Sequence, residues 1–319
     1  MIKYGRERMR FMKSKRRLWL RMVAVAAVVI IGLAGLTAYA HNRIGPVSGP
    51  MALEYASMSP IERQAWEVAS QVAGSGEAAQ EQFVGRLLDL YDRIKGHDLV
   101  IFCAPGGWGK RPMETDPQAS TWLAGIESVL TGLGYNYVEV QDIRTESSLP
   151  GTLLELKEQL THYPSKGKEL AAKIDFLTQN ISGLKVIITG QSNGAGFAGE
   201  VTNRLQANPN VYSVQVGIPF WHRVFHNSRS LIITENGIGP DTLTRKDIPQ
   251  ILKNNWVQLF VMNKMPAFTP FDWLISRAFM IFGPYNVLGM EAPGHDYFWD
   301  YPGVGPVIQA FLERNFSLE

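Results

Sequence analysis

The sequence predicts an α/β fold in which helices flank a mostly parallel β-sheet. Apolar runs of strand length alternate with amphipathic helices from residue 98 onwards. Glycine and proline clusters separate many of these segments, as loops require. With 319 residues, 45% of them hydrophobic, the chain can bury a sizeable core in one large domain or two small ones.

Two helices come first in the predicted domain. Ser59 and Pro60 form a helix start, with a capping residue followed by proline at the first helical position. The helix should continue through Val72. A second helix is predicted over 77–95, where apolar residues recur at helical spacing.

Six short apolar strands follow, with helices between and after them. Helices on both faces are expected, because parallel strands need crossover connections and bury both sides of the sheet. The strands are predicted over 98–103, 136–140, 184–189, 211–217, 231–234 and 257–262. The helices are predicted over 118–133, 166–179, 193–206 and 304–316.

Charge is distributed unevenly along the chain, whose net charge is +2. Residues 1–21 carry nine basic residues and one acid, which leaves 22 basic and 28 acidic residues in the remainder. A mildly acidic domain argues against a nucleic-acid partner. The single cysteine excludes a disulfide framework and a cysteine-based zinc cluster, and no P-loop, HExxH or EF-hand motif is present. We therefore expect neither a metal nor an organic cofactor.

Residues 22–40 carry no charge and are about as long as a membrane-spanning helix. The basic residues 1–21 lie before them, so the positive-inside rule predicts a cytoplasmic amino terminus and an extracytoplasmic domain, periplasmic or extracellular. A small-x-small site that ends at Ala40 leaves open a cleaved signal peptide and a secreted protein. Residues 41–58 are interpreted as a linker, and 59–319 as the folded domain.

A GxSxG motif occupies residues 190–194 (GQSNG), between the strand over 184–189 and the helix over 193–206. A serine at the apex of such a turn has a strained backbone, and small residues two positions away let strand and helix approach. The amino terminus of the helix that follows Ser192 offers N–H groups to a developing oxyanion. A glycine-rich turn with an incidental serine is the alternative.

In this context the chain resembles the α/β-hydrolase superfamily of serine esterases and lipases, over about residues 97–316. The resemblance implies Ser192 as the nucleophile, followed along the chain by an acid and a histidine. It also implies an oxyanion hole formed by the N–H of Asn193 and one from Gly107 or Trp108, in a glycine-rich loop after the first strand. An ordinary glycine-rich turn is the alternative interpretation of this loop.

His295 alone among the six histidines lies between the last predicted strand and the last predicted helix. The superfamily has its general base in this region, so the resemblance implies this role for His295. His222 and His226 come too early in the chain, and we expect them to line a pocket or to pack.

The acid of the triad is expected a few residues after the seventh strand of the family. Asp241 fits that position best and Glu235 is an alternative. Asp272 becomes a candidate if the strand over 257–262 is the seventh.

The chain also departs from the family pattern. The first two strands are not evident, and the predicted helices within 59–96 stand in their place. Residues 263–294 are rich in aromatic and apolar residues, which either complete the core or form a lid or pocket for an acyl chain. Trp108 and Trp221 would add aromatic walls to a substrate pocket.

These features together predict a membrane-tethered, extracytoplasmic serine hydrolase. Its partner is expected to be a small-molecule carboxylic ester or thioester, with lipid-like esters among the candidates. Two alternatives remain open, an acyltransferase that uses the same triad and a non-catalytic binding module of the same fold.

Overall fold

Five parallel strands form one sheet in the computed structural model, which describes residues 57–74, 76–146, 148–254 and 292–317. The strand order is β2-β1-β3-β4-β5, so β3 is central. The prediction of a mostly parallel sheet is confirmed. The strands are β1 (Leu99–Ala104), β2 (Tyr137–Gln141), β3 (Lys185–Gln191), β4 (Val211–Val216) and β5 (Ser230–Ile233).

Helices precede the sheet, connect its strands and end the described chain. All six helices predicted from the sequence are present, with ends that differ by a few residues at most. The helices are α1 (Pro60–Val72), α2 (Glu77–Ile94), α3 (Ala119–Gly132), α4 (Leu149–Leu160), α5 (Lys166–Asn180), α6 (Asn193–Arg204), α7 (Ile248–Asn254) and α8 (Gly305–Phe316).

The sheet separates two apolar cores, and β1 is apolar and buried along its whole length. Along β1, Val100 and Phe102 face the core that α1, α2, α5 and α6 cover. Ile101 and Cys103 face the opposite core, against α3 and α8. The alternation follows from the two-residue period of a strand. Both faces of the sheet are therefore covered, and functional groups can gather at the carboxyl ends of the strands.

The first two helices contribute to the core rather than extend away from it. α1 begins with a capping box, in which Ser59 N donates to Glu62 Oε2 (2.6 Å) and Glu62 N donates to Ser59 Oγ (3.3 Å). Ala65 and Leu87 are fully buried in the first core. In the described part of the chain no strand precedes Leu99, and these two helices pack on one face of the sheet.

The sequence analysis missed α4 and α7. Pro150 and Gly151 resemble a turn, but they lie in the first turn of α4, where Gly151 N donates to Ser148 Oγ (3.1 Å). Proline is tolerated there because the first N–H groups of a helix lack intrahelical acceptors. α7 has only seven residues, too few for a clear helical period.

Several predicted segments lie outside the described residues. These are the basic tail, the membrane segment 22–40, most of the linker, the strand over 257–262 and nearly all of 263–294. Of the helices that are described, none has both the length and the apolarity needed to cross a bilayer.

Candidate active site

Ser192 forms the turn between β3 and α6 in a backbone conformation that L-residues rarely adopt. Its φ is +55° and its ψ is −125°, which is a strained combination for a residue with a side chain. The turn is held on both sides, because Ser192 N donates to Val216 O (2.9 Å) and Gly196 N donates to Ser192 O (3.1 Å). The predicted strand–turn–helix context of the motif is present.

Gly190 and Gly194 allow β3, α6 and the end of β1 to meet without side chains between them. A Cβ at Gly194 would lie 2.0 Å from Ala104 O and 2.6 Å from Pro105 O. A Cβ at Gly190 would lie 2.5 Å from the carbonyl of Gly194. No side chain fits at these distances, so the two glycines are required by close approach.

The loop after β1 lies beside the serine. Gly109 N donates to Gly106 O (2.9 Å) and closes the turn, while Gly107 and Gly109 have positive φ values of +55° and +64°. A Cβ at Gly106 would lie 3.1 Å from Gln191 O and 3.8 Å from Ser192 Cβ. The loop implied as an oxyanion loop is therefore adjacent to Ser192.

Side chains from neighbouring elements bind the carbonyl oxygens of this loop. Gly107 O accepts from Asn193 Nδ2 and from Gln159 Nε2, both at 3.1 Å. Pro105 O accepts from Arg144 Nη2 (2.8 Å). Within the described ranges, the N–H groups of Gly107 and Trp108 have no hydrogen-bond acceptor. These N–H groups remain available to a ligand.

The backbone N–H of Asn193 is also available, because Asn193 is the first residue of α6. Its side chain is fully engaged. The amide nitrogen donates to Gly107 O and to Gln159 Oε1 (3.2 Å), while Oδ1 accepts from Trp221 Nε1 (3.1 Å). Oδ1 also pairs with His222 Nε2 (2.9 Å). Asn193 thus connects the serine turn, the loop after β1 and α4.

His222 packs behind the serine turn as a neutral ring. Since Asn193 Oδ1 can only accept, His222 Nε2 carries the proton. The ring stacks on Tyr163 at 5.8 Å, and a Cβ at Gly196 would lie 2.4 Å from it. Burial, with the charges of His162 and Arg144, lowers the pKa of His222 to about 4. His222 is therefore a packing residue, whereas His226 is exposed.

His295 and Asp241 form a pair at the same end of the sheet. His295 Nδ1 lies 2.8 Å from Asp241 Oδ2, and the Asp241 side chain is fully buried. The other carboxylate oxygen, Oδ1, accepts from Leu243 N (2.7 Å) and Thr244 N (3.2 Å). Because these hydrogen bonds hold the buried carboxylate in one orientation, the imidazole N–H has an acceptor in a fixed position.

The environment of Asp241 favours its charged form. Burial opposes ionisation of this carboxyl group. The hydrogen bond and charge of His295, together with donors from Tyr297 and Thr244, outweigh burial and lower the pKa of Asp241. Asp241 is therefore a carboxylate at neutral pH.

The opposite edge of the imidazole has no partner in the part of the chain that the structure describes. His295 Nε2 is buried, and within the described residues it has no hydrogen-bond partner. A Cβ at Gly217 would lie 3.0 Å from His295 Cε1, and the preceding Val216 O accepts from Ser192 N. The imidazole therefore lies against Gly217, the residue after the end of β4. The last residue of β4, Val216, is the one that accepts from Ser192 N. No hydrogen bond joins Ser192 Oγ to Nε2 here, and such bonds often tighten only when substrate is bound.

The remaining predicted site residues lie in different places. Glu235 is half exposed and pairs with Arg245 rather than with His295. Asp272 lies outside the described residues. Trp108 is half-buried in the loop after β1, and Trp221 is 41% exposed with its indole N–H on Asn193.

The sequence analysis missed Gln159 and Tyr297. Gln159 lies on the unpredicted helix α4, and Tyr297 donates its hydroxyl to Asp241 Oδ2 (2.5 Å). One signal could have indicated Tyr297, because residues two apart in an extended segment lie on the same side and His295 is two residues before it. Among the described residues, no group of three His, Cys, Asp or Glu is arranged to hold a metal ion.

The fold is α/β-hydrolase-like. The parallel sheet, the serine turn after its central strand, and the chain order serine, aspartate, histidine all agree with that superfamily.

No family model and no curated protein matches the sequence. Among solved structures, Trichoderma reesei cutinase in complex with a C11Y4 phosphonate inhibitor is 13% identical, with 60% of this chain and 81% of that chain covered and a TM-score of 0.32. RedJ with a PEG molecule bound in the active site is 14% identical, with 70% and 67% covered and a TM-score of 0.22. Likenesses this weak decide nothing about activity.

The tight crossing at Gly194 can be tested by adding one methyl group. We expect Gly194→Ala to lower the free energy of unfolding by about 2 kcal/mol or more, because the Cβ overlaps backbone that cannot move aside. Urea unfolding measures this change.

Gly132→Ala is the matched control, because nothing lies within 4 Å of a Cβ at the end of α3. It should cost nothing and could add up to about 1 kcal/mol through helix propensity. Equal stability of the two variants would contradict the described crossing.

Proposed function

We propose that this protein is a serine hydrolase that cleaves a carboxylic ester or thioester, with Ser192 as nucleophile, His295 as general base and acid, and Asp241 as its orienting acid. One observation carries the proposal. A serine in a strained turn and an imidazole whose buried Nε2 has no partner among the described residues lie at the same end of one sheet. The strained backbone of Ser192 and the buried Nε2 of His295, which has no partner among the described residues, both cost free energy. In the proposed acyl transfer Ser192 is the nucleophile and Nε2 accepts its proton.

The first half-reaction forms an acyl-enzyme. Ser192 Oγ attacks the carbonyl carbon and its proton passes to His295 Nε2. The charged ring is stabilised by Asp241, to which Nδ1 donates. When the tetrahedral intermediate collapses, His295 returns the proton to the leaving alcohol or thiol, and the acyl group remains on Ser192.

Water completes the cycle by the same route. His295 Nε2 removes a proton from water as the oxygen attacks the acyl carbon. Collapse of the second intermediate returns the proton to Ser192 Oγ and releases the carboxylic acid. Each step moves one proton between oxygen, or a leaving sulfur, and Nε2, so the chemistry requires no cofactor.

The oxyanion of both intermediates is proposed to be bound by the N–H of Asn193 and an N–H from Gly107 or Trp108. All three groups lack a protein acceptor among the described residues, and the first lies at the positive end of α6. The hydrogen bonds from Asn193 Nδ2 and Gln159 to Gly107 O support the proposal, because they fix the loop before substrate arrives.

The substrate is proposed to carry an apolar group beside Trp221. The indole N–H is bound to Asn193, which fixes the ring next to the oxyanion position, and 41% of the residue remains exposed. Trp108 lies on the facing loop. These two aromatic side chains, one on Asn193 and one in the loop after β1, favour an ester with an aliphatic or aromatic part, lipid-like esters among them.

A fluorophosphonate probe tests the nucleophile. Wild type should be labelled, and Ser192→Ala should not, because the probe forms a covalent bond only with an activated serine. With a short p-nitrophenyl ester, kcat/KM of Ser192→Ala and of His295→Ala should fall by about 10³ or more.

Two exposed residues supply matched controls, Ser128→Ala on α3 and His226→Ala. Both should keep labelling and turnover. Labelling of Ser192→Ala at the wild-type level would contradict the assignment of the nucleophile, and turnover retained by His295→Ala would contradict that of the base.

We further propose that residues 22–40 tether the protein to a membrane, with residues 1–21 in the cytoplasm and the catalytic domain on the other side. The charge-free segment and the preceding basic tail support this proposal. The full chain should remain with membranes after a high-pH carbonate wash and keep its amino-terminal segment by intact mass. Release by the wash, or a mass that begins after Ala40, would contradict the tether.

A further inference from the structure

Tyr297 is buried against the histidine of the proposed triad. Its side chain is fully buried, and its ring meets the His295 ring edge-on, with centroids 5.7 Å apart and an interplanar angle of 89°. A Cβ at Gly217 would lie 2.7 Å from the Tyr297 ring. The tyrosine therefore fills the space between the end of β4 and the imidazole.

The hydroxyl of Tyr297 competes with His295 for one oxygen atom. It donates to Asp241 Oδ2 (2.5 Å), the same oxygen that lies 2.8 Å from His295 Nδ1. Asp241 Oδ1 is already occupied by two backbone N–H groups. The charge that the carboxylate offers to the imidazole is therefore shared between two donors.

The backbone of Tyr297 is connected to the serine turn. Tyr297 N donates to Gln118 Oε1 (3.2 Å), and the same oxygen accepts from Gln191 Nε2 (2.8 Å). Gln191 immediately precedes Ser192. The Gln118 side chain thus links the segment that carries His295 to the end of β3, which Ser192 follows.

Resting on the proposed function, we propose that Tyr297 is a positioning residue that fixes the His295 ring and limits how strongly Asp241 stabilises the charged imidazole. Acyl transfer begins with a neutral imidazole, and a charged ring cannot accept the serine proton. By taking part of the charge on Oδ2, the phenol leaves less of that charge to stabilise a proton on the ring.

The Tyr297 phenol remains a donor at neutral pH. Burial, then the hydrogen bond to Asp241, raises the pKa of Tyr297 far above its ordinary value. Among the described residues, the other charged groups that face this cluster are Asp296, whose Oδ2 accepts from Tyr301 (3.0 Å), and Glu235, which pairs with Arg245. Neither carboxylate accepts a hydrogen bond from the Tyr297 hydroxyl, which donates to Asp241.

The test is the pH dependence of kcat/KM for Tyr297→Phe with a p-nitrophenyl ester. The acid limb of the pH profile should move to higher pH by about 0.5 to 1 unit, because Asp241 Oδ2 then accepts a hydrogen bond from His295 alone. On the plateau, kcat should fall by roughly 2- to 10-fold with KM nearly unchanged, because the ring is less firmly oriented.

Tyr301→Phe is the matched control, because it removes a hydroxyl from a carboxylate other than Asp241. Its acid limb should stay at the wild-type pH. The inference is overturned if Tyr297→Phe leaves the acid limb in place, or if both variants shift it equally. If the fluorophosphonate probe does not label the wild-type protein, the proposed function itself is overturned.

A second variant covers the case in which Tyr297→Phe does not fold. Site-specific 3-fluorotyrosine at 297 keeps the ring and makes the phenol a stronger donor. The acid limb should then move to lower pH, the opposite direction from the phenylalanine variant. A shift to higher pH, or none, would overturn the inference.

Discussion

The close crossing of β3, α6 and the end of β1 is the constraint on which the candidate site depends. Gly190 and Gly194 meet each other and the carbonyl oxygen of Ala104 at distances that exclude any side chain. Ser192 joins the two elements across this contact with a positive φ. The same crossing brings the loop that begins at Ala104 beside the serine, so one packing contact determines the positions of both.

Buried polar groups then hold that arrangement. Glu155 is fully buried and accepts from Arg144 (3.2 Å) and Lys166 (2.6 Å). Arg144 in turn donates to Pro105 O in the loop beside Ser192. Breaking a buried ion pair leaves an uncompensated charge, which is more costly than losing a surface pair. The loop is therefore held by interactions from the interior, in addition to those of Asn193.

Much of the fold could be predicted because it is encoded locally. Apolar runs and helical spacing identified the five described strands, and six of the eight described α-helices, from short windows of sequence. Ser192 could be found because strand, turn and helix are contiguous around it. Asp241 and His295 could be assigned only through a family resemblance, since 54 positions separate them in the chain.

The rest depended on proximity that no short window contains. Glu235 and Asp241 both follow β5, and only the folded chain shows that Glu235 turns to Arg245 while Asp241 turns to His295. Tyr297 and Gln159 look like ordinary residues of a loop and a helix. Their partners lie 56 and 52 positions away, so their contribution to the site comes from tertiary packing alone.

A crystal structure of the protein after reaction with a phosphonate inhibitor tests the central claim most directly. The account predicts phosphorus bonded to Ser192 Oγ, the phosphonyl oxygen about 3 Å from the N–H of Asn193 and of a loop residue, and His295 Nε2 facing the serine oxygen. An adduct on another residue, or a phosphonyl oxygen that points away from both N–H groups with His295 out of reach, would contradict it.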